Sequence, residues 1–174
     1  VGAEPRIAII IDDLAEQYAA SHSAMKLPVP VAFAFLPNGG HTPGLARVAA
    51  ERGHEVLLHM PMEPQNITPA AGSLLVNDSA EAIETALLAA LERTPGAVGV
   101  NNHQGSRFTA TPRAMDHFLA ALARRGGLYF VDSRTTAGSM GYALARHHDI
   151  PTARRQVFLD NDASAEGVRA AWAE

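Results

Sequence analysis

Two adjacent carboxylates, Asp12 and Asp13, close an aliphatic run over residues 7–11. On an extended chain successive side chains point to opposite sides, so one carboxylate can hold a cation while the other faces substrate or water. A helix N-cap would account for Asp13 ahead of Leu14, but it would leave Asp12 unpaired in an apolar setting. His59 directly follows Val56-Leu57-Leu58, at the rim of a core. His103 follows Val98-Gly99-Val100-Asn101-Asn102 in the equivalent place on the next run. Either imidazole alone fits a hydrogen-bonded structural role. Two imidazoles and one carboxylate at neighbouring strand ends match the three-ligand pattern of an open catalytic site for zinc or another divalent metal. Glu63 is either a fourth oxygen ligand or loop surface. His54 reads as a strand anchor, and His22, His41, His117, His147 and His148 read as surface or helix residues.

These groups must be positioned by strands. Six short apolar runs, at 7–11, 31–36, 56–58, 97–100, 128–131 and 157–159, alternate with longer amphipathic stretches. The runs are rich in β-branched, aromatic and Leu residues and near-continuous, as in strands buried on both faces. Between them, Ile83, Leu87, Leu88 and Leu91 form one helical apolar face, and Met115, Phe118, Leu119 and Leu122 form another. Ser79 and Thr111-Pro112 read as helix starts, and Gly53, Gly96 and Gly126 as helix ends. Residues 64–77, with Pro, Gly and Asn, read as one long loop over a face of the domain. The order is α/β with a parallel sheet. Each run ends in polar residues: Asp12-Asp13, Asn38, His59, Asn101-Asn102-His103, Asp132-Ser133-Arg134 and Asp160-Asn161-Asp162. An open doubly wound sheet concentrates such residues at one switch point, whereas a barrel gathers every strand end at one mouth. The expected architecture is therefore a (β/α) barrel with its site at the mouth.

Composition sets the outer bounds. The chain has 174 residues, of which 47% are hydrophobic and 18% charged, and a net charge of −4. That is one domain with an ample core, not a disordered chain. An acidic chain without a basic run is a poor partner for nucleic acid. Without cysteine there is no disulfide, thiolate metal site or cysteine nucleophile. No apolar run approaches the length of a membrane helix. Phosphate loops, dinucleotide fingerprints and serine-hydrolase elbows are absent from the sequence. The chain starts at Val1 without an initiator Met, compatible with a targeting segment cut away.

Taken in order, the segments Ile-Ile-Ile-Asp-Asp (9–13), Leu-Pro-Val-Pro-Val-Ala-Phe-Ala-Phe-Leu-Pro (27–37), Gly-His-Glu-Val-Leu-Leu-His-Met-Pro-Met-Glu-Pro (53–64), Gly-Val-Asn-Asn-His-Gln-Gly-Ser-Arg-Phe-Thr (99–109), Phe-Val-Asp-Ser-Arg-Thr-Thr (130–136) and Phe-Leu-Asp-Asn-Asp (158–162) resemble one family. It is the divergent polysaccharide deacetylase family, a bacterial branch of the carbohydrate deacetylase superfamily. The resemblance implies a deformed seven-stranded (β/α) barrel, an Asp-His-His metal site and metal-dependent removal of N- or O-acetyl groups from sugars. Asp12-Asp13 match the paired-Asp motif, whose first residue is typically the base and whose second is a metal ligand. His59 matches the first His of a His-x-x-x-His motif. The sequence departs at the second His, where it has Glu63. His103 lies where the superfamily usually has an Arg-Pro motif, placed to replace the lost imidazole.

The reading that follows is a metal-dependent deacetylase of an acetylated cell-envelope glycan. Asp13, His59 and His103 are the candidate ligands of a divalent metal, zinc first. Asp12 is the candidate base, with Asp132 and Arg134 as further catalytic candidates. Asn102, Glu63 and Asp160 are candidate substrate contacts. The Glu63 departure motivates an alternative, a catalytically silent barrel that binds glycan or an envelope partner. The resemblance also implies a periplasmic or secreted protein. Family members look longer, with a further strand ending in a Gly-His-Pro-His-like motif and a final helix. Residues 1–174 therefore read as a single domain lacking that strand and helix, a six-stranded, unclosed barrel. Its free strand edge would favour covering by a loop or pairing with another chain, and so an oligomer.

Overall fold

The computed structural model describes residues 7–173; residues 1–6 and Glu174, the ends of the expected domain, lie outside the described residues. Six strands alternate with six helices: β1 (Ile10–Leu14), α1 (Tyr18–Ala24), β2 (Ala32–Phe35), α2 (Thr42–Glu51), β3 (Glu55–Met62), α3 (Ala80–Arg93), β4 (Ala97–Gln104), α4 (Pro112–Arg125), β5 (Tyr129–Asp132), α5 (Gly141–His147), β6 (Thr152–Arg154) and α6 (Ala165–Trp172). Every neighbouring pair is parallel, and the spatial order is the chain order. A doubly wound sheet reverses direction at a switch point; this one winds steadily one way, as a barrel does.

The sheet curls but does not close. Among the described residues, β1 pairs only with β2 and β6 only with β5, as expected for an unclosed barrel. Ile10 of β1 and Tyr129 and Val131 of β5 pack onto one small cluster with Ala32, Ala34 and Leu57. Residues four strands apart meet there because the small side chains of β2 let the sheet bend tightly around its concave face. The convex face is covered by helices. Ile83 and Leu87 of α3 and Met115, Phe118 and Leu122 of α4 join Leu58, Met60, Val100 and Phe130 in the largest apolar cluster. Burying each such side chain contributes roughly 1.5–3 kcal/mol.

Local signals explain the helix limits. The Ser79 hydroxyl accepts the Ala82 N–H (3.1 Å) and caps α3. Thr111 precedes α4 with Pro112 as its first residue, but its hydroxyl donates to the Arg107 carbonyl instead of capping. Asp13 caps nothing, because Leu14 continues β1 and α1 begins only at Tyr18.

Two expected elements differ. The sixth strand is Thr152–Arg154, and the apolar run 157–159 is turn and coil. This edge strand is short and largely exposed, so it carries no apolar run to reveal it. Strands β3 and β4 extend to Met62 and Gln104, beyond their apolar runs. His59 and His103 therefore lie within strands, not after them. The long loop over 64–77 is present and tied down: Leu74 bridges Met62, and the Gln65 N–H reaches the Ser106 hydroxyl (2.9 Å). No helix among the described residues is long and apolar enough to cross a membrane.

Candidate metal centre

Strands β3 and β4 run in register, with His59 beside Asn101 and Pro61 beside His103. Asn101 and His103 stand two residues apart, so they share one face of β4. That face is concave, and β1 reaches it from across the curl. Along a flat sheet β1 and β4 would lie about 14 Å apart. Here the Asn101 amide donates to Asp12 Oδ1 at 2.8 Å.

The two Asp carboxylates do not diverge as strict strand alternation requires. Register shifts between Ile11 and Leu14, and Asp13 takes a left-handed conformation, φ 59°. This bulge turns both carboxylates toward His59: Asp12 Oδ1 lies 3.7 Å from Nδ1, and Asp13 Oδ1 3.2 Å from Nε2. The expectation that the pair faces opposite sides is corrected by that bulge.

Asp13, His59 and His103 present one ligand atom each, all within 4.8 Å of one another. Asp13 Oδ1 is 2.8 Å from His103 Nδ1, which is 3.2 Å from His59 Nε2. The buried Asn101 decides the tautomer of His59. Its Nδ2 donates to Asp12, so its Oδ1 faces His59 and must accept from Nδ1–H (2.8 Å). In the neutral ring, Nε2 then offers a lone pair to the space shared with Asp13 and His103. Two imidazole nitrogens and a carboxylate oxygen converging on one point need either extra protons or a cation. The donor set fits zinc or a similar divalent ion. The oriented second nitrogen is the usual support for a ligating His.

The same contacts shift how the cluster titrates. Burial works to lower the His59 pKa, but the Asp13 hydrogen bond, the Asp12 charge and the Asn101 carbonyl outweigh it and raise the value. Hydrogen bonds with His103 and with the protonated His59 ring, together with their charge, hold the Asp13 carboxyl well below the usual carboxylate range. Perturbed groups of this kind cluster at functional sites.

The other residues named from sequence sit differently. Glu63 does not join the cluster: Oε1 accepts from Arg107 (2.6 Å) and Oε2 from the Val76 N–H (2.7 Å), so its carboxylate anchors the 64–79 segment. Asn102 is buried with both ends engaged, Oδ1 by the Ser133 N–H and Nδ2 by the Gln104 carbonyl. It faces β5 and holds two strand ends together. Asp132 is also buried. Its Oδ1 accepts the Arg134 N–H (2.8 Å) and its Oδ2 the Ser139 hydroxyl and the Tyr142 N–H (2.8 and 3.1 Å). Gly141 packs closely beside it: a Cβ there would stand 3.0 Å from Asp132 Oδ2. Arg134 is exposed in a left-handed conformation, φ 47°, at the end of β5. Asp160 is exposed in the turn after β6.

Sequence reasoning missed Asn101 and Arg155. Asn101 shares strand parity with His103, which is a readable signal. Arg155 carries none, because the edge strand that positions it is itself illegible. Backbone strain gathers at this end of the sheet. Of the five non-glycine residues with positive φ among the described residues, Asp13, Ala15, Gln104 and Arg134 follow or lie within the carboxyl ends of β1, β4 and β5. Such conformations cost roughly 1–3 kcal/mol each and persist where the surroundings impose them.

The divergent polysaccharide deacetylase family matches residues 9–174. The uncharacterized protein YibQ of Escherichia coli K12 is 33% identical over 165 residues, 94% of this chain and 51% of YibQ. An uncharacterized protein of Haemophilus influenzae is 29% identical over 160 residues, 91% of this chain and 57% of its own. The chain thus spans about half the length of the curated relatives it matches. The crystal structure of the uncharacterized protein ATU2773 of Agrobacterium tumefaciens C58 superposes with a TM-score of 0.88 at 26% identity, over 95% of this chain and 69% of that one. An Enterococcus faecalis protein described as a candidate cellobiose-phosphate cleavage protein shares the fold, with a TM-score of 0.64 at 16% identity over 92% of this chain and 71% of its own.

Proposed function

The chain belongs to the divergent polysaccharide deacetylase family, and from that premise we propose that it is a metal-dependent hydrolase removing acetyl groups from a cell-envelope glycan. One observation carries the proposal. Asp13, His59 and His103 converge within 4.8 Å, and a second carboxylate, Asp12, stands beside them. A divalent ion on these three ligands, zinc first, would polarise the acetyl carbonyl and acidify water.

The protein's own residues do the rest. Asp12 is held by Asn101 through one oxygen and takes the proton of the attacking water as general base. Asn101 also fixes the His59 ring through Nδ1–H, so a single amide aligns ligand and base. Arg134, exposed at the mouth, orients the substrate. Asp132 holds the Arg134 backbone in the conformation that aims it there. A cell-envelope substrate implies that the protein works in the periplasm or is secreted.

The test is acetate release from acetylated chito-oligosaccharides and peptidoglycan fragments with metal added and with chelator. Metal-dependent release is expected. Asp12→Asn should lower it roughly 10²–10⁴-fold while the metal stays bound. No release on a broad panel, alongside glycan binding by calorimetry, would replace this reading with a silent glycan-binding barrel.

A further inference from the structure

The mouth has a second charged feature, opposite in sign to the carboxylates of β1. Arg155 follows β6, and its N–H extends the ladder to the Asp132 carbonyl (2.9 Å). Its guanidinium folds back over the end of β5: Nε donates to the Ser133 carbonyl (2.7 Å) and Nη2 to the Arg134 carbonyl (2.8 Å). The ring of Phe158 lies 4.2 Å from it on one face. The group is therefore locked in place, partly buried and pressed against the loop that carries Arg134. Among the described residues, neither arginine makes an ion pair with a carboxylate. Arg107 and Arg124, by contrast, each have a Glu partner. The nearby carboxylates do not supply a guanidinium contact. Asp132 spends its oxygens on N–H and O–H donors of its own turn, and Asp12 accepts from Asn101.

The Nη2 contact with the Arg134 carbonyl brings one guanidinium against the residue that carries the other. Burial and the Arg134 charge together lower the Arg155 pKa, and the charges of Asp132 and Asp12 only partly offset them. Ser133, whose carbonyl Arg155 holds, donates its own N–H to Asn102 Oδ1, next to His103 on β4, so Arg155 sits at the same carboxyl end of the sheet as the candidate metal ligands. A pair of like charges, one rigidly held and neither neutralised, is an arrangement that an anion completes.

We propose that Arg155 and Arg134 form an anion subsite beside the metal centre, so that the substrate is a glycan bearing a carboxylate or phosphate near the acetylated sugar. The proposal rests on the deacetylase reading and narrows it to acidic polysaccharides. Arg155 is the preformed half, since its contacts hold it before any ligand arrives. Arg134, exposed and without a side-chain hydrogen bond among the described residues, is the half that closes on the ligand.

Three probes with one backbone test it: tri-N-acetylchitotriose, its C6-carboxylate derivative and its C6-phosphate derivative. Calorimetry on the metal-loaded protein should show at least one acidic probe binding roughly ten-fold or more tightly than the neutral one. That preference should shrink as salt rises. The arm that binds identifies the anion. Arg155→Ala should erase most of the preference while the neutral probe's affinity hardly changes, and Arg134→Ala should erase the preference too. Arg124→Ala, remote and already paired with Glu84, should leave the preference intact. If Arg155→Ala unfolds, Arg134→Ala and the salt series still decide. Equal binding of neutral and acidic probes, or binding of none, overturns the anion subsite. Acetate release on the same probes separates the two readings. Equal release from neutral and acidic probes would leave the deacetylase standing without the subsite. Tight acidic binding without release would leave the subsite standing without the deacetylase.

Discussion

The mouth of this sheet has two halves that look alike in sequence and behave differently in space. On the β1–β3–β4 side, Asp13, His59 and His103 turn their ligand atoms toward one another. On the β5–β6 side, Asp132 ends its strand and Asp12-Asp13 lie near the end of theirs, yet the Asp132 carboxylate is wholly used by its own turn. The difference lies in backbone direction. A bulge aims the β1 carboxylates across the concave face, whereas the chain after Asp132 wraps back and supplies donors to it. A strand-end carboxylate becomes chemistry when nothing local satisfies it. Otherwise it is a turn-builder.

The strongest way to break this comparison is through the metal. Replacing Asp13, His59 or His103 singly by Ala should abolish stoichiometric zinc binding, read by elemental analysis after gel filtration. His117→Ala and Asp132→Ala should each keep full occupancy. A fully loaded His103→Ala protein would remove His103 from the ligand set.

On the other half the large effect should be on stability. Asp132→Ala strands the N–H groups of Arg134 and Tyr142 and the Ser139 hydroxyl in a partly buried setting. Leaving such donors unsatisfied costs about 1–3 kcal/mol apiece, less where water reaches them. A total loss of roughly 2–4 kcal/mol is expected in urea unfolding. A loss below 1 kcal/mol would show that the turn is satisfied by water and that Asp132 is free for another role.

Acid and base should also separate the halves, through the metal-free protein. His59 has its pKa raised in the fold, so its contribution is fully present below the ordinary histidine value near ~6.5 and fades as pH rises through the folded value. Asp13 has its pKa lowered, so its contribution is present above the ordinary carboxylate value near ~4 and fades as pH falls through the folded value. The apo protein should therefore be most stable between those two limits and lose stability toward alkaline pH. Zinc reverses the alkaline limb, because the ion replaces the proton at His59 Nε2. Metal affinity should rise with pH, with proton release visible by calorimetry in buffers of different ionisation enthalpy. A zinc affinity independent of pH between 6 and 8 would contradict the assigned His59 protonation.

How far the sequence could be read follows the same division. Strands β1 to β5 announce themselves because helices cover their convex face and the curl buries much of the other, which makes their residues near-continuously apolar. The candidate metal ligands were legible because each follows such a run. What could not be read was direction. Alternation assigns Asp12 and Asp13 to opposite faces, and only the left-handed turn at Asp13 reverses that. Asn102, Glu63 and Asp132 have the right types for a site, but neighbours distant in sequence occupy them: Ser133, Arg107 with Val76, and Tyr142. Strand β6 was missed because an exposed Thr-Ala-Arg segment owes its conformation to pairing with β5, not to its own composition.

The smallest expected effect concerns the strained backbone that both halves share. Arg134 holds φ 47°, with its N–H fastened to Asp132 Oδ1. Replacing it by Ala or by Gly removes the guanidinium in either case, so the difference between the two variants isolates the backbone. A left-handed residue with a Cβ costs roughly 1–2 kcal/mol. Glycine avoids that cost but loses about 0.5–1 kcal/mol more chain entropy on folding. Arg134→Gly should therefore be more stable than Arg134→Ala by about 0.5–1 kcal/mol, seen as a higher urea midpoint at unchanged m-value. The same pair of substitutions at Gln104, φ 53°, makes the measurement on the half with the Asp13-His59-His103 cluster. A similar gap at both positions would mean that both strand ends are held against the same backbone preference. Equal midpoints for the Arg134 pair would mean that the Asp132 carboxylate, and not the backbone, sets the energy of this turn.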